Sequence, residues 1–240
     1  MTPDDPQEAQ ARRGLDAWAA FPADREPRPL VLLDTIPAVR PSGLLPDKQT
    51  EMALLHGVVD AVPGFPAPVL EALRGRPGAY AGPEQYAGPP LLLTDAVLGS
   101  FRYETDRGPR VLPTWEVHAQ GVFQPFQVLD PAAISRGQVW EPPGRKRITG
   151  LRPTVTLAAD GRTLTMSYSG SGWYADSNQA PARTLESGNA VALVFTERRK
   201  PRRSGWYADV GRRREVTAVL PSPLANRVLL DAKGGPVMVT

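Results

Sequence analysis

The chain contains no cysteine, which excludes disulfides, thiolate nucleophiles, Fe–S clusters and cysteine-ligated zinc. Histidine is nearly absent too: only His56 and His118 occur, too few for an ordinary structural zinc site. Any Ser-His-Asp triad has to use one of these two, and no Gly-x-Ser-x-Gly elbow accompanies them. There is no Walker loop and no Asp-rich loop of EF-hand type. Long apolar runs are missing as well. Apolar runs such as Leu30–Leu33 and Leu91–Leu93 are far too short to span a bilayer. The N-terminus, Met1-Thr-Pro-Asp-Asp-Pro-Gln-Glu, lacks the basic and apolar regions of a signal peptide. A cytoplasmic protein with no membrane span is expected.

What is present in quantity is proline (27) and glycine (22) in 240 residues. Proline neither continues helices nor donates to ladders, so short elements joined by fixed turns are expected and a mainly helical fold is disfavoured. The length suits one large domain or two small ones.

Glu8–Phe21 reads as an amphipathic helix, with Leu15 and Trp18 on one face and Arg12, Arg13 and Asp16 on the other. Arg28–Asp34 reads as a buried strand. Asp47–Ala61 carries Met52, Leu55, Val58 and Val59 near period 3.6, with Asp47 where an N-cap belongs. Pro68–Arg74 adds a turn or two of helix, and Arg74–Pro90 is a Gly/Pro-rich connection. Beyond residue 90 the apolar period becomes 2. Candidate strands are Ala96–Tyr103, Val111–Ala119, Val122–Leu129, Thr154–Ala158, Thr163–Tyr168, Gly172–Asp176, Ala190–Thr196, Trp206–Asp209, Glu215–Leu220, Arg227–Leu230 and Val237–Val239. Asp160-Gly161 between two of them is a strong hairpin signal. The expected fold is α+β: short N-terminal helices in residues 1–90, then a mainly antiparallel sheet or sandwich in residues 91–240. The two parts are either separate domains or one continuous domain.

The hexapeptide Ser-Gly-Trp-Tyr-Ala-Asp occurs twice, at Ser171–Asp176 and Ser204–Asp209. The bland reading makes both copies strands with Trp173 and Trp206 in a core. The sharper one makes Tyr174 and Tyr207 an exposed aromatic platform. The second copy lies inside the only dense basic run. Arg198, Arg199, Lys200, Arg202, Arg203, Arg212, Arg213 and Arg214 stand there against one acid, Asp209. The run carries +7 and the rest of the chain −4, so the basic character is local. Five like charges around Pro201 cannot pack, so Arg198–Arg203 reads as a solvated loop or as a contact with an anionic partner. The two basic clusters flank a short stretch, so whether they form one patch stays open. Gly170-Ser-Gly172-Trp-Tyr-Ala175 matches Gly-x-Gly-x-x-Ala only formally, because no amphipathic helix follows.

Two segments look familiar. Thr105-Asp-Arg-Gly-Pro-Arg-Val-Leu-Pro-Thr-Trp115, with Gly121 and Val128-Leu-Asp, resembles a Leu-Pro-Ala-Trp segment of uncharacterised β-rich actinobacterial proteins. Pro223-Leu-Ala-Asn-Arg227, then Gly234-Gly-Pro-Val, resembles their Pro-Leu-Gly-x-Arg ending. This chain departs at Thr114, where the pattern has Ala, and at Ala225, where it has Gly. The resemblance implies a β-rich fold and no particular chemistry. Physically, Pro113 inside a strand implies an edge or a bulge, Trp115 is a large anchor, and Arg227 has Asp231 as a possible partner.

The expected function is a non-catalytic binding module. Its contact residues would be Arg198, Arg199, Lys200, Arg202, Arg203, Arg212, Arg213, Arg214, Tyr174 and Tyr207. The partner would be nucleic acid, an acidic protein face or an anionic polymer, with no cofactor and no metal. The alternatives are a hydrolase-type enzyme using His118 with Glu116, and a structural subunit that buries its β edges in an assembly.

Overall fold

The computed structural model describes residues 5–34, 39–41, 46–74, 86–142, 154–170, 182–195 and 212–240. The fold is α+β. It has two compact units, and neither is a single stretch of chain. One comprises Met1–Leu33, Thr105–Gly108 and Thr149–Thr240; the other comprises Asp34–Glu104 and Pro109–Ile148.

The first unit opens with helix α1, Pro6–Ala17. Asp5 caps it by accepting from the Gln7 N–H at 3.0 Å, and Pro6 sits at the first turn, where no donor is needed. The helix ends at Trp18, four residues before Pro22. Ala11, Gly14, Leu15 and Trp18 are buried, while Arg12, Arg13 and Asp16 face solvent. Residues 31–33 are buried and Leu30 is half-buried, yet they form no ladder: Leu32 makes an isolated bridge to Thr105.

Two sheets complete this unit. Strands β6 (Thr154–Leu157), β7 (Thr163–Gly170), β10 (Arg212–Val219) and β12 (Met238–Val239) are ordered β10-β7-β6-β12. Strands β8 (Arg183–Glu186), β9 (Ala190–Val194) and β11 (Val228–Leu230) are ordered β11-β9-β8. The β6–β7 hairpin turns where Asp160-Gly161 predicts it, with Gly161 at φ +66°. The Asp160 carboxylate accepts from the Arg162 and Thr163 N–H groups and from the Thr163 hydroxyl. Those bonds, the Thr163 N–H first, hold its pKa down at about 2. Every residue of β9 is buried. Val191 and Leu193 join the core made by Val155, Leu164, Met166, Val216 and Leu229. Helix α1 packs on β9.

The second unit is a sheet ordered β1-β5-β4-β3-β2 with helices against it. Its strands are β1 (Val39–Pro41), β2 (Val59–Ala61), β3 (Leu91–Thr105), β4 (Gly108–Ala119) and β5 (Phe126–Leu129). The last residue of β3 and the first of β4 are grouped with the first unit. Helices α2 (Lys48–Leu55) and α3 (Ala67–Arg74) contribute Ala53, Val69 and Leu73 to a core shared with Leu93, Val117, Phe126 and Val128. A short helix α4, Pro131–Ser135, follows β5.

The helix expected over Asp47–Ala61 stops halfway. Asp47 does cap it, accepting from the Thr50 N–H at 2.7 Å. At the other end Gly57 takes φ +65°, its N–H bonds to the Leu54 carbonyl, and the Val58 N–H bonds to the Ala53 carbonyl. This is a Schellman closure, and it ends the helix. Val59–Ala61 then runs parallel to Leu91–Leu93 as β2. Each of the three sheets is antiparallel apart from one parallel pair at an edge: β2–β3, β12–β6 and β11–β9.

Pro113 lies in β4, which is interior to its sheet. The β5 ladder begins one residue later, at Thr114, so the missing donor falls where no β5 residue waits for it. The Pro113 carbonyl is used by the Asp130 N–H at 3.0 Å. Trp115 is half-buried against the core, and its indole N–H donates to Asp130 Oδ1 at 3.1 Å.

Candidate functional site

Of the basic run, Arg212, Arg213 and Arg214 lie on β10, paired opposite Gly170, Ser169 and Tyr168 of β7. Strand β10 stands at the end of its sheet. Arg198, Arg199, Lys200, Arg202, Arg203, Tyr174, Tyr207 and both hexapeptides lie outside the described residues. The flanking strands do fix where those stretches attach. Gly170 is opposite Arg212, and Arg183 is opposite Val194. Each hexapeptide copy is therefore tethered to the same two pairs of strand ends.

His118 and Glu116 are two apart on β4, with Nε2 and Oε1 3.6 Å apart. Both side chains are more than 40% exposed. Glu116 Oε2 accepts from the Gln127 side chain at 3.4 Å. No buried carboxylate orients the imidazole among the described contacts, and no metal-binding cluster is found among the described residues. The other histidine, His56, closes α2, is buried, and stacks on Tyr86 at 6.0 Å.

The most highly organised charges were not singled out by sequence reading. Asp106, 1% exposed, pairs with Arg28 at 2.5 Å and accepts from the Val31 N–H at 3.1 Å. Arg28 also lies over the Phe21 ring at 4.8 Å. Arg107 Nε is 3.8 Å from the same carboxylate. Burial, and then the neighbouring Arg28, pull the Arg107 guanidinium below its usual range, with Asp106 opposing.

These arginines act on one loop. Arg227 donates to the carbonyls of Ser222, Pro223 and Leu224. Arg107 donates to those of Ala225 and Arg227, and Arg28 to that of Asn226. Every carbonyl from Ser222 to Arg227 thus accepts from a guanidinium. A loop has no ladder to satisfy its backbone, and the rigid five-donor fork of arginine supplies what is missing. Arg227 pairs with Glu186 at 2.6 Å rather than with Asp231, whose carboxylate instead accepts from the Lys233 and Gly235 N–H groups. The two segments that looked familiar in the sequence therefore meet here. The usable signal was the pairing of Asp-Arg-Gly at a hairpin tip with a distant Pro-Leu-x-x-Arg. This cluster is structural, since its donors are spent on the chain itself.

Ala225 adopts φ +46°, a left-handed conformation in which Cβ is strained. Glycine is the residue such a position favours. Ala225→Gly is expected to raise stability by about 0.5–1 kcal/mol, the relieved strain exceeding the added entropy of the unfolded chain. The urea midpoint is the readout, and an unchanged or lower midpoint would contradict it.

No described helix is long and apolar enough to cross a membrane. Comparison with known protein families, with curated proteins and with solved structures finds no match to this chain.

Proposed function

We propose that this protein is a binding module that holds an anionic polymer, nucleic acid first among them, through the arginine run Arg198–Arg214. The observation that carries this reading is the local charge: +7 in one run, in a chain that is otherwise mildly acidic. The register supports it by setting Arg212–Arg214 on an end strand, directly after the stretch that holds the other basic residues. The common tethering of both hexapeptides supports a role for Tyr174 and Tyr207 beside the arginines. Guanidinium groups neutralise phosphates and aromatic rings stack on bases, so the composition suits a single strand. Exposed His118 and Glu116 lack the enclosed setting that general acid–base chemistry uses.

The test is fluorescence anisotropy with labelled single- and double-stranded DNA, RNA and polyglutamate, at low and at physiological salt. Wild type is compared with a variant in which Arg198, Arg199, Arg202 and Arg203 are changed to Ser. Binding to nucleic acid is expected to weaken steeply with salt and to fall roughly tenfold or more in the variant. Binding to polyglutamate alone would move the partner to an acidic protein face. No binding to any probe at low salt would refute the reading.

A further inference from the structure

We propose that β3 is the dimerisation edge of this protein, pairing antiparallel with β3 of a second copy about a twofold axis through Gly99. This is independent of the arginine run.

The strand runs from Leu91 to Thr105, but its outer neighbour β2 covers only Leu91–Leu93. The Val62 N–H takes the Leu93 carbonyl, and no described strand continues along that edge. The far end, Thr105, is bridged by Leu32. Between these stops lies Thr94–Glu104, whose charges, Asp95, Arg102 and Glu104, stand toward its two ends, with the Asp95 carboxylate accepting from the Ala96 N–H at 2.8 Å. It holds no proline and no lysine, and Ala96–Phe101 carries no charge. Val97 and Leu98 are each 54% exposed, and Gly99 and Ser100 are exposed beside them.

The occupant follows from those stops. An incoming strand has to fit between Leu93 and Thr105, and the same segment of another copy, running antiparallel, has matching ends. A closed twofold pair places some residue opposite itself. The midpoint of Thr94–Glu104 is Gly99, so only the register with Gly99 opposite Gly99 uses the whole edge. In that register Val97 lies opposite Phe101 of the second copy, an aromatic–β-branched pair that sheets favour. Asp95 meets Tyr103, Ala96 meets Arg102 and Thr94 meets Glu104, so no like charges oppose. Registers centred on Asp95 or Arg102 would place a charge against itself. Glycine at the centre suits a close approach of two backbones.

The absence of cysteine gives a clean test. Directly opposite residues have Cα atoms roughly 4.5–5.5 Å apart, within the disulfide range of about 4.4–6.8 Å. A Cβ added at Gly99 meets only the Thr114 carbonyl, at 3.9 Å, so Gly99→Cys leaves the strand intact. Under mild oxidation Gly99→Cys is expected to give a disulfide-linked dimer nearly quantitatively. Thr94→Cys is expected to give little, because its two copies would lie roughly 33 Å apart along the paired strands. Sedimentation of the unmodified protein across concentration should show a dimer, and Leu98→Lys, which sets two lysines diagonally across the axis, should shift it to monomer. A monomer at every concentration overturns the proposal. So does equal cross-linking at both positions, or a Leu98→Lys protein that dimerises as tightly as wild type.

Discussion

Asp106→Asn is expected to destabilise the fold by about 3–5 kcal/mol, a large share of the stability of an ordinary domain. The carboxylate is 1% exposed and answers Arg28, itself only 10% exposed. Removing its charge leaves that mostly buried guanidinium, and the nearby Arg107, 23% exposed, without a counterion. The pair is not interchangeable with an apolar isostere, because Arg28 and Arg107 also satisfy the carbonyls of Pro29, Ala225, Asn226 and Arg227. The neutral amide still accepts from the Val31 N–H, so the loss isolates the charge and not the backbone bond. The contrast is the Arg12–Glu8 pair on α1, with Arg12 65% exposed, where Arg12→Ala should change stability by less than about 0.5 kcal/mol. Urea unfolding of both variants provides the comparison. A loss below about 1 kcal/mol at Asp106 would mean that the cluster is wet and weakly coupled.

That cluster shows where sequence reading stops. Local chemistry is legible: Asp5-Pro6 and Asp47 start helices, and Asp160-Gly161 turns a hairpin, because each acts within a few residues. Val58 and Val59 continue the apolar period of α2 by coincidence, and only Gly57 betrays the stop; the partner that makes Val59–Ala61 a strand is Leu91–Leu93, some thirty residues on. Strand β8 went unnoticed because Arg-Thr-Leu-Glu has no alternation of its own, and β9 supplies its setting. The pairing of Arg28 with Asp106 is not legible in the sequence, since nothing near Arg28 in the chain announces a carboxylate 78 residues away. For the candidate site the reverse holds. Its charge is visible in the sequence at once, whereas the structure adds the register of Arg212–Arg214 and the common tethering of the two repeats.

Gly234→Ala should be about as damaging, with an expected loss of roughly 3 kcal/mol or more. Two effects add. Gly234 sits at φ +80°, which by itself costs a side chain about 1–2 kcal/mol. Its Cβ would also lie 2.8 Å from the Cα of Gly14, backbone against backbone, in the contact that seats α1. Neither side can move cheaply. The Trp18 indole donates to the Gly234 carbonyl at 3.1 Å, and Asp231 holds the turn through the Lys233 and Gly235 N–H groups. Gly14→Ala separates the two effects, because Gly14 lies within α1 and has no positive φ to lose. In an exposed helix that change would gain about 1 kcal/mol of propensity. Here the new Cβ meets the Gly234 Cα at 2.7 Å and its N at 3.3 Å. Overpacking of this kind costs about 1–3 kcal/mol, so the sign reverses and Gly14→Ala destabilises, though less than Gly234→Ala. Urea midpoints of the two variants should therefore fall in the order wild type, Gly14→Ala, Gly234→Ala. A Gly14→Ala protein more stable than wild type would show that α1 is not seated on the Gly234 turn.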